Sequence, residues 1–241
     1  MIIFWRLVLG HFLADFTLQT NRINAWKRSS AMGMMIHCLI HPICYLSLIY
    51  PYLGSVWITL RGIPIHGITA VGLIALLHYI EDAWRVAVIS KHRNLDTTLY
   101  LIWDQVIHLS VIFIFFGETP GDSGLIIPEL WPVILILTII ATHFSVVLIY
   151  FIEKDLYGKP YPNDTEKYVA IAERGLAFAG ILTIPSVHLA LAVVLTALTM
   201  PRIIMATRFK PNELGLPPNF SWAFGAVIAV AAGLLGRLLL A

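Results

Sequence analysis

Residues 31–50 read AMGMMIHCLIHPICYLSLIY, a run with no lysine, arginine, aspartate or glutamate, preceded by Lys27-Arg28-Ser29-Ser30 and followed by Pro51. A bilayer core about 30 Å thick takes roughly 20 residues of helix at about 1.5 Å each. The run therefore predicts a helix that crosses a membrane, with Ser29-Ser30 supplying its N-cap. His37 and His41 are the exceptions inside it. Polar side chains are costly in a membrane helix and turn toward protein.

The same reading extends to the whole chain. Its 241 residues are 59% hydrophobic and only 12% charged, with a mean hydropathy of +0.82, too apolar for the exterior of a soluble domain. Apolar runs between polar or Pro/Gly breaks predict eight helices, at about 1–19, 31–53, 65–90, 95–116, 128–153, 165–183, 186–208 and 219–240. Asp96 is the expected N-cap of the fourth, and Pro120, Pro128, Pro185 and Pro217-Pro218 punctuate connections. The fold class is all-α, a polytopic transmembrane bundle of seven to eight helices. Residues 1–117 are expected to form an N-terminal four-helix bundle and 118–241 a C-terminal half, joined at the polar stretch Glu153 to Lys167.

Charge sets the expected topology. Loops after the odd-numbered helices carry Arg22, Lys27, Arg28, Lys91, Arg93, Lys154, Lys159, Lys167, Arg208 and Lys210, and the opposite loops only Arg61. This bias puts the odd-numbered loops in the cytoplasm and both termini outside a plasma (inner) membrane. The net charge of +2 is too small to suggest nucleic acid. Arg6, His11 and Asp15 break the first apolar run, which argues against a cleaved signal peptide. Cys38 and Cys44 read as small apolar residues.

Polar residues within the first four helices fall into pairs four apart: His11/Asp15, His37/His41, His78/Asp82 and Asp104/His108. An i, i+4 spacing puts both members on one helix face, about one turn apart. Consecutive helices run in opposite directions, yet all four pairs lie about 6 to 20 Å from the predicted cytoplasmic end. One shared layer follows.

Three carboxylates in a low-dielectric bundle carry a charge near −3, to be neutralised by protonation, pairing or metal. Two divalent ions would bring the sum to about +1. Eight potential ligands exceed the four to six that one ion usually takes, which favours a binuclear site or one ion with residues left for acid/base work. Nitrogen and oxygen donors suit zinc, iron, manganese or cobalt. A structural polar network or a proton path is the alternative use of the same pairs.

Gln19 extends the first stripe, Arg85 lies three residues beyond Asp82, and Gln105 neighbours Asp104; these are the expected supporting or substrate-binding residues. Arg85 also fits simple positive-inside anchoring. Glu173 and Arg174 read as helix-end charges at the interface rather than a second polar centre. His143 and His188 stand alone in apolar runs and read as satisfied buried histidines.

His11-Phe-Leu-Ala-Asp15-Phe-Thr-Leu-Gln19-Thr20-Asn21, followed by Lys27, resembles the opening signature of the DUF3307 family of bacterial membrane proteins. His37-x3-His41, His78-Tyr-Ile-Glu-Asp82 and Asp104-Gln105-x2-His108 are similar to its later motifs, in the same order. Ala172-Glu173-Arg174-Gly175-Leu176 and the Arg202 segment resemble a C-terminal region of many members, with Thr199-Met200-Pro201 where a lysine is expected. The resemblance implies the fold and the site, and no reaction.

The chemistry points to a metal-dependent hydrolase in the membrane, with Asp15, Asp82 or Asp104 as base. A lipid or isoprenoid phosphate or ester, reached from the cytoplasmic leaflet, is the expected substrate class. Its rivals are an iron-dependent oxidoreductase and a metal or proton transporter. The almost wholly apolar outer half of helices one to four argues against a transport route there.

Overall fold

Helices form where the apolar runs predicted them, but the connections hold more structure than expected. The computed structural model describes residues 1–117, 129–208 and 220–241, without the side chains of residues 93 and 200–208. Pro120, Pro128, Pro217-Pro218 and the Arg202 side chain thus lie outside the described residues. The chain divides into two compact units, Met1–Ile136 and Leu137–Ala241.

In the first unit, α1 (Ile2–Phe12) runs into a widened turn over Leu13–Thr17, where the Leu18 amide donates to the Leu13 carbonyl at 2.8 Å. This i to i+5 bond is a π turn, a feature that favours functional sites. The chain then bends by 89° into α2 (Asn21–Ser29). The Thr20 hydroxyl caps α2 by accepting from the Ile23 amide at 3.2 Å. The single helix expected over 1–19 is therefore shorter, and its supposed loop is helical.

Helix α2 lies on α3 (Ala31–Ile49), whose N-cap is Ser30 as expected. Gly33 makes that approach possible: a Cβ there would stand 2.3 Å from the Trp26 carbonyl oxygen. After α3 comes a hairpin that the helical reading missed, β1 (Val56–Leu60) antiparallel to β2 (Ile63–His66). Its signal was present in β-branched Val56-x-Ile58-Thr59 followed by Arg61-Gly62. Both turn residues have positive φ, 51° and 84°, which suits a tight hairpin turn. Trp57 packs against Gly67 and Gly117, where a Cβ would collide with the indole.

Helix α4 (Gly67–Lys91) and α5 (Thr98–Phe115) complete this unit's long helices. Thr97, not Asp96, caps α5 by accepting from the Tyr100 amide at 3.3 Å. Asp96 accepts instead from Arg28 at 3.4 Å, tying the end of α2 to the start of α5. Helix α1 packs on α3, α3 on α4, α4 on α5 and α5 back on α1. The ring encloses the buried faces of all four, and Tyr45 fills the space over Gly10 at their centre.

The second unit begins within α6 (Trp131–Ile139), whose first six residues belong to the first unit, continues through a π turn over Ile140–Phe144 into α7 (Ser145–Tyr157), and adds α8 (Asp164–Thr183), α9 (Val187–Arg208) and α10 (Phe220–Leu240). Asn163 and Glu166 form a reciprocal capping box at the start of α8. Helix α10 presents Gly225, Ala229, Ala232, Gly233 and Gly236 as its buried face, and it packs closely on α8. A Cβ on Gly233 would stand 2.8 Å from Ile181. Small residues thus bring the two backbones together, as membrane helices commonly do.

Four helical stretches among the described residues are long and apolar enough to cross a membrane: Ala31–Tyr52, Thr98–Phe115, Trp131–Tyr157 and Phe220–Leu240. The bent pair Ile2–Thr17 and Asn21–Ser29 makes a fifth if taken as one span. Helix α4 has 25 residues and carries Glu81, Asp82 and Arg85. Those charges turn inward, with side chains 10%, 2% and 12% exposed. Its outer face shows Leu76, Tyr79, Ile80 and Trp84 instead.

Candidate metal centre

Each ring helix delivers its polar pair to one buried place. His11 and Asp15 come from α1 and its π turn, His37 and His41 from α3, His78 and Asp82 from α4, and Asp104 and His108 from α5; all eight are buried. The i, i+4 spacing does what helical geometry requires of it, and the antiparallel succession puts the four pairs at one level.

Their polar atoms are close. Asp15 Oδ1 lies 3.2 Å from His41 Nε2 and 3.3 Å from His37 Nε2. Asp82 Oδ2 lies 3.1 Å from His37 Nε2 and 3.4 Å from His78 Nε2. His108 Nε2 lies 3.5 Å from Asp104 Oδ1 and 2.9 Å from Glu81 Oε2. The rings of His41 and His78 stand 3.7 Å apart, and those of His78 and His108 4.1 Å.

Several of these contacts lack hydrogen-bond geometry. Asp15 Oδ1, His41 Nε2, His78 Nε2, Glu81 Oε2, Asp104 Oδ1 and His108 Nε2 are buried without a hydrogen-bond partner among the described residues. Orphaned polar atoms in an apolar interior are expensive and so demand a reason. A metal supplies one. Ligand bonds of about 2.0–2.1 Å in a tetrahedron place neighbouring ligand atoms about 3.3–3.4 Å apart, close to the 3.3 and 3.2 Å from Asp15 Oδ1 to His37 and His41 and the 3.4 Å between His78 and Asp82. Three overlapping groups have ligand atoms within 4.8 Å of one another: Asp15, His37, His41 and His78; Cys38, His78 and Asp82; and Glu81, Asp82, Asp104 and His108. These groups can hold a metal ion.

Neighbours fix the ligands. His41 Nδ1 sits 3.4 Å from the His37 carbonyl, which it can reach only as a donor, leaving the Nε2 lone pair to face Asp15 and the interior. Gln105 Nε2 donates to Asp104 Oδ2 at 3.0 Å and to Asp15 Oδ2 at 3.4 Å, while its Oε1 faces His11 Nε2 at 3.1 Å. Gln105 thus joins α1 and its π turn to α5. His11 is held by Gln105 at 3.1 Å and Asp15 at 3.5 Å and stands outside the three groups.

The family model described as a protein of unknown function (DUF3307) matches residues 3–125, just over half of the chain. The chain belongs to the DUF3307 family. No curated protein and no solved structure matches it. The DUF3307 match encloses every residue of the cluster.

Three contributors to this DUF3307 centre escaped the sequence reading. Lys27, counted as a loop charge, is 7% exposed and reaches Asp82 Oδ2 at 2.7 Å and His37 Nε2 at 3.1 Å. Only the fold of α2 brings it there. Glu81 enters beside His108, and its signal was its position three residues after His78 and next to Asp82. Cys38, taken for a small apolar residue, has its Sγ 3.8 Å from Asp82 Oδ2; Cys44 is buried and reduced.

Of the supporting residues, Arg85 donates to Asp104 Oδ2 at 3.2 Å. Gln19 lies just past the π turn and is half-buried, with its Oε1 turned away from solvent. The four carboxylates Asp15, Glu81, Asp82 and Asp104 face two cations, Lys27 and Arg85, so the centre sums to −2 with neutral imidazoles.

Beyond the DUF3307 match, the second unit has a polar centre of its own. Arg174, expected at an interface, is buried and donates to Ser145 Oγ at 2.9 Å and to the Ser221 carbonyl at 3.4 Å. Gly225 leaves room for its guanidinium, since a Cβ there would collide with Nε. His143 is half-buried with Nδ1 3.0 Å from Thr142 Oγ1, a satisfied histidine.

Proposed function

We propose that this DUF3307 protein is a membrane-embedded metal protein acting as a metal-dependent hydrolase on a lipid-like or isoprenoid phosphate or ester. The carrying observation is the set of orphaned nitrogen and oxygen atoms from four helices, converging where no described residue satisfies them. Asp15, His37, His41, His78, Glu81, Asp82, Asp104 and His108 are the residues that would hold a divalent ion such as zinc, iron or manganese. Such an ion, when bound, supplies Lewis-acid polarisation and lowers the pKa of water.

The chain's own residues supply the rest. Lys27 meets Asp82 at 2.7 Å and Arg85 meets Asp104 at 3.2 Å in charge-assisted contacts that fix the position of each carboxyl. Asp15 has imidazoles and Gln105 around it and, among the described residues, no direct ion pair with a lysine or arginine, which makes its Oδ1 the place to accept a proton. Arg85, with 12% of its side chain exposed, stands at the rim and suits an anionic head group. Ile102, Trp103 and Val106 on α5 add an exposed apolar surface at the same level, which favours a substrate with a hydrocarbon chain. The excess of basic residues in the odd-numbered loops supports a plasma membrane with both termini outside and the site on the cytoplasmic side.

One observation favours a second reading. Glu81, Asp82, Asp104 and His108 form a carboxylate-rich group, which suits iron or manganese better than zinc, and so an oxidoreductase. Purified protein in lipid nanodiscs, loaded with zinc, manganese or iron and offered an isoprenyl phosphate, tests both. Phosphate release that is lost in Asp15→Asn supports the hydrolase. Oxygen uptake with iron and no phosphate release supports the oxidoreductase, and neither activity across lipid phosphates and esters sinks the catalytic reading.

A further inference from the structure

Lys27 comes to the cluster from outside the four-helix ring. The 89° bend after the π turn lays α2 back on α3, with Gly33 admitting Trp26. This puts Lys27 Nζ within 2.7 Å of Asp82 Oδ2 and 3.1 Å of His37 Nε2. His37 belongs to the Asp15 group and Asp82 to both of the others. The ammonium is a compact charge with three donors and no acceptor. It therefore does for these lone pairs what a metal ion would do, and it repels a cation brought to the same atoms.

The effect differs between the two four-residue groups. With His37 engaged by Lys27, the first group retains Asp15, His41 and His78. Lys27 meets the Glu81 group at Asp82 Oδ2, while the other Asp82 oxygen, Oδ1, lies on the side of His108 at 3.9 Å from Nε2; Glu81 Oε2, Asp104 Oδ1 and His108 Nε2 remain orphaned, and Arg85 takes the opposite oxygen of Asp104, Oδ2. Charge agrees with geometry. The centre's sum of −2 becomes zero with one divalent ion and +2 with two, and an uncompensated charge of that size is costly in a low-dielectric interior. The binuclear expectation rested on eight potential ligands and three carboxylates, with Lys27, Arg85 and Glu81 outside the sum.

Resting on the reading of the protein as a metal protein, we propose that the centre binds a single divalent ion, in the Glu81–Asp82–Asp104–His108 group, and that Lys27 is a built-in cation that keeps a second ion out of the Asp15–His37–His41–His78 group. Lys27 is a positioning residue, and metal stoichiometry reads its role without any activity.

The experiment loads detergent-purified full-length protein with zinc(II) or manganese(II), removes free metal by gel filtration, and counts metal per chain by plasma mass spectrometry. Wild type and Lys27→Arg are expected to retain one equivalent, and Lys27→Met two. A Glu81→Gln/Asp104→Asn variant is expected to retain none while Lys27 is in place. Two equivalents in wild type, one equivalent kept by Glu81→Gln/Asp104→Asn, or one equivalent in a monodisperse, helical Lys27→Met would overturn the proposal. The double variant decides the matter even if Lys27→Met fails to fold. No metal in wild type would instead remove the metal reading itself, a distinct result.

Discussion

Lys27 Nζ and Asp82 Oδ2 stand 2.7 Å apart with both side chains almost wholly buried. Removing one partner of a buried pair leaves the other charge uncompensated, at a typical cost of about 3–5 kcal/mol. Lys27→Ala is therefore expected to lower the thermal midpoint of metal-free protein in detergent by several degrees. Added zinc or manganese should restore most of the loss, because the ion replaces the missing charge. An unchanged midpoint would show that the pair does not form.

The position of Lys27 depends on a contact without polar chemistry. Gly33→Ala would put a methyl group 2.3 Å from the Trp26 carbonyl oxygen, a backbone atom that cannot rotate away. Overpacking of this kind costs about 1–3 kcal/mol. The variant is expected to destabilise the protein and to increase cleavage or hydrogen exchange in 21–29 before the rest of the first unit. Protection of 21–29 equal to wild type would contradict the packing described.

Gln105 touches Asp15, Asp104 and His11 without entering a ligand group. Residues that orient ligands typically govern about 10–100-fold in metal affinity. Gln105→Leu keeps the volume and removes all three contacts, so metal affinity measured by chelator competition is expected to fall by that order while helicity is kept. Wild-type affinity would reduce Gln105 to packing.

Arg174 offers a control in the second unit. Hydrogen bonds to charged groups contribute about 1.5–3 kcal/mol each, and Arg174→Ala gives up those to Ser145 and Ser221. Thermal stability is expected to fall while metal content stays at the wild-type value. Loss of metal from this variant would tie the two polar centres together.

How much of this was legible in the sequence follows from the range of each signal. The pairs His11/Asp15, His37/His41, His78/Asp82 and Asp104/His108 could be read because helical periodicity is local and fixes which residues share a face. Helix limits such as Asp164–Thr183 and Phe220–Leu240 were legible for the same reason. Lys27 was not, because its burial depends on a bend at 18–20 and on Gly33 accepting Trp26, a tertiary contact with no periodic trace. Glu81 was hidden by its own pattern: with Asp82 and Arg85 it resembled the charged end of a helix until the neighbouring helices enclosed it. The hairpin at 56–66 was overlooked because a short apolar run between two helices is ambiguous in period, although Arg61-Gly62 marked its turn.

The most direct test of the centre is the metal content of wild-type protein purified in mild detergent without chelator, beside a His37→Ala/Asp104→Ala variant that disables both four-residue groups. The expected result is a stoichiometric divalent metal in wild type, measured by plasma mass spectrometry, and its loss in the variant with helicity retained. No metal in wild type after attempted reconstitution, with the variant equally stable, would contradict a metal centre and leave the four pairs as a polar network or proton path.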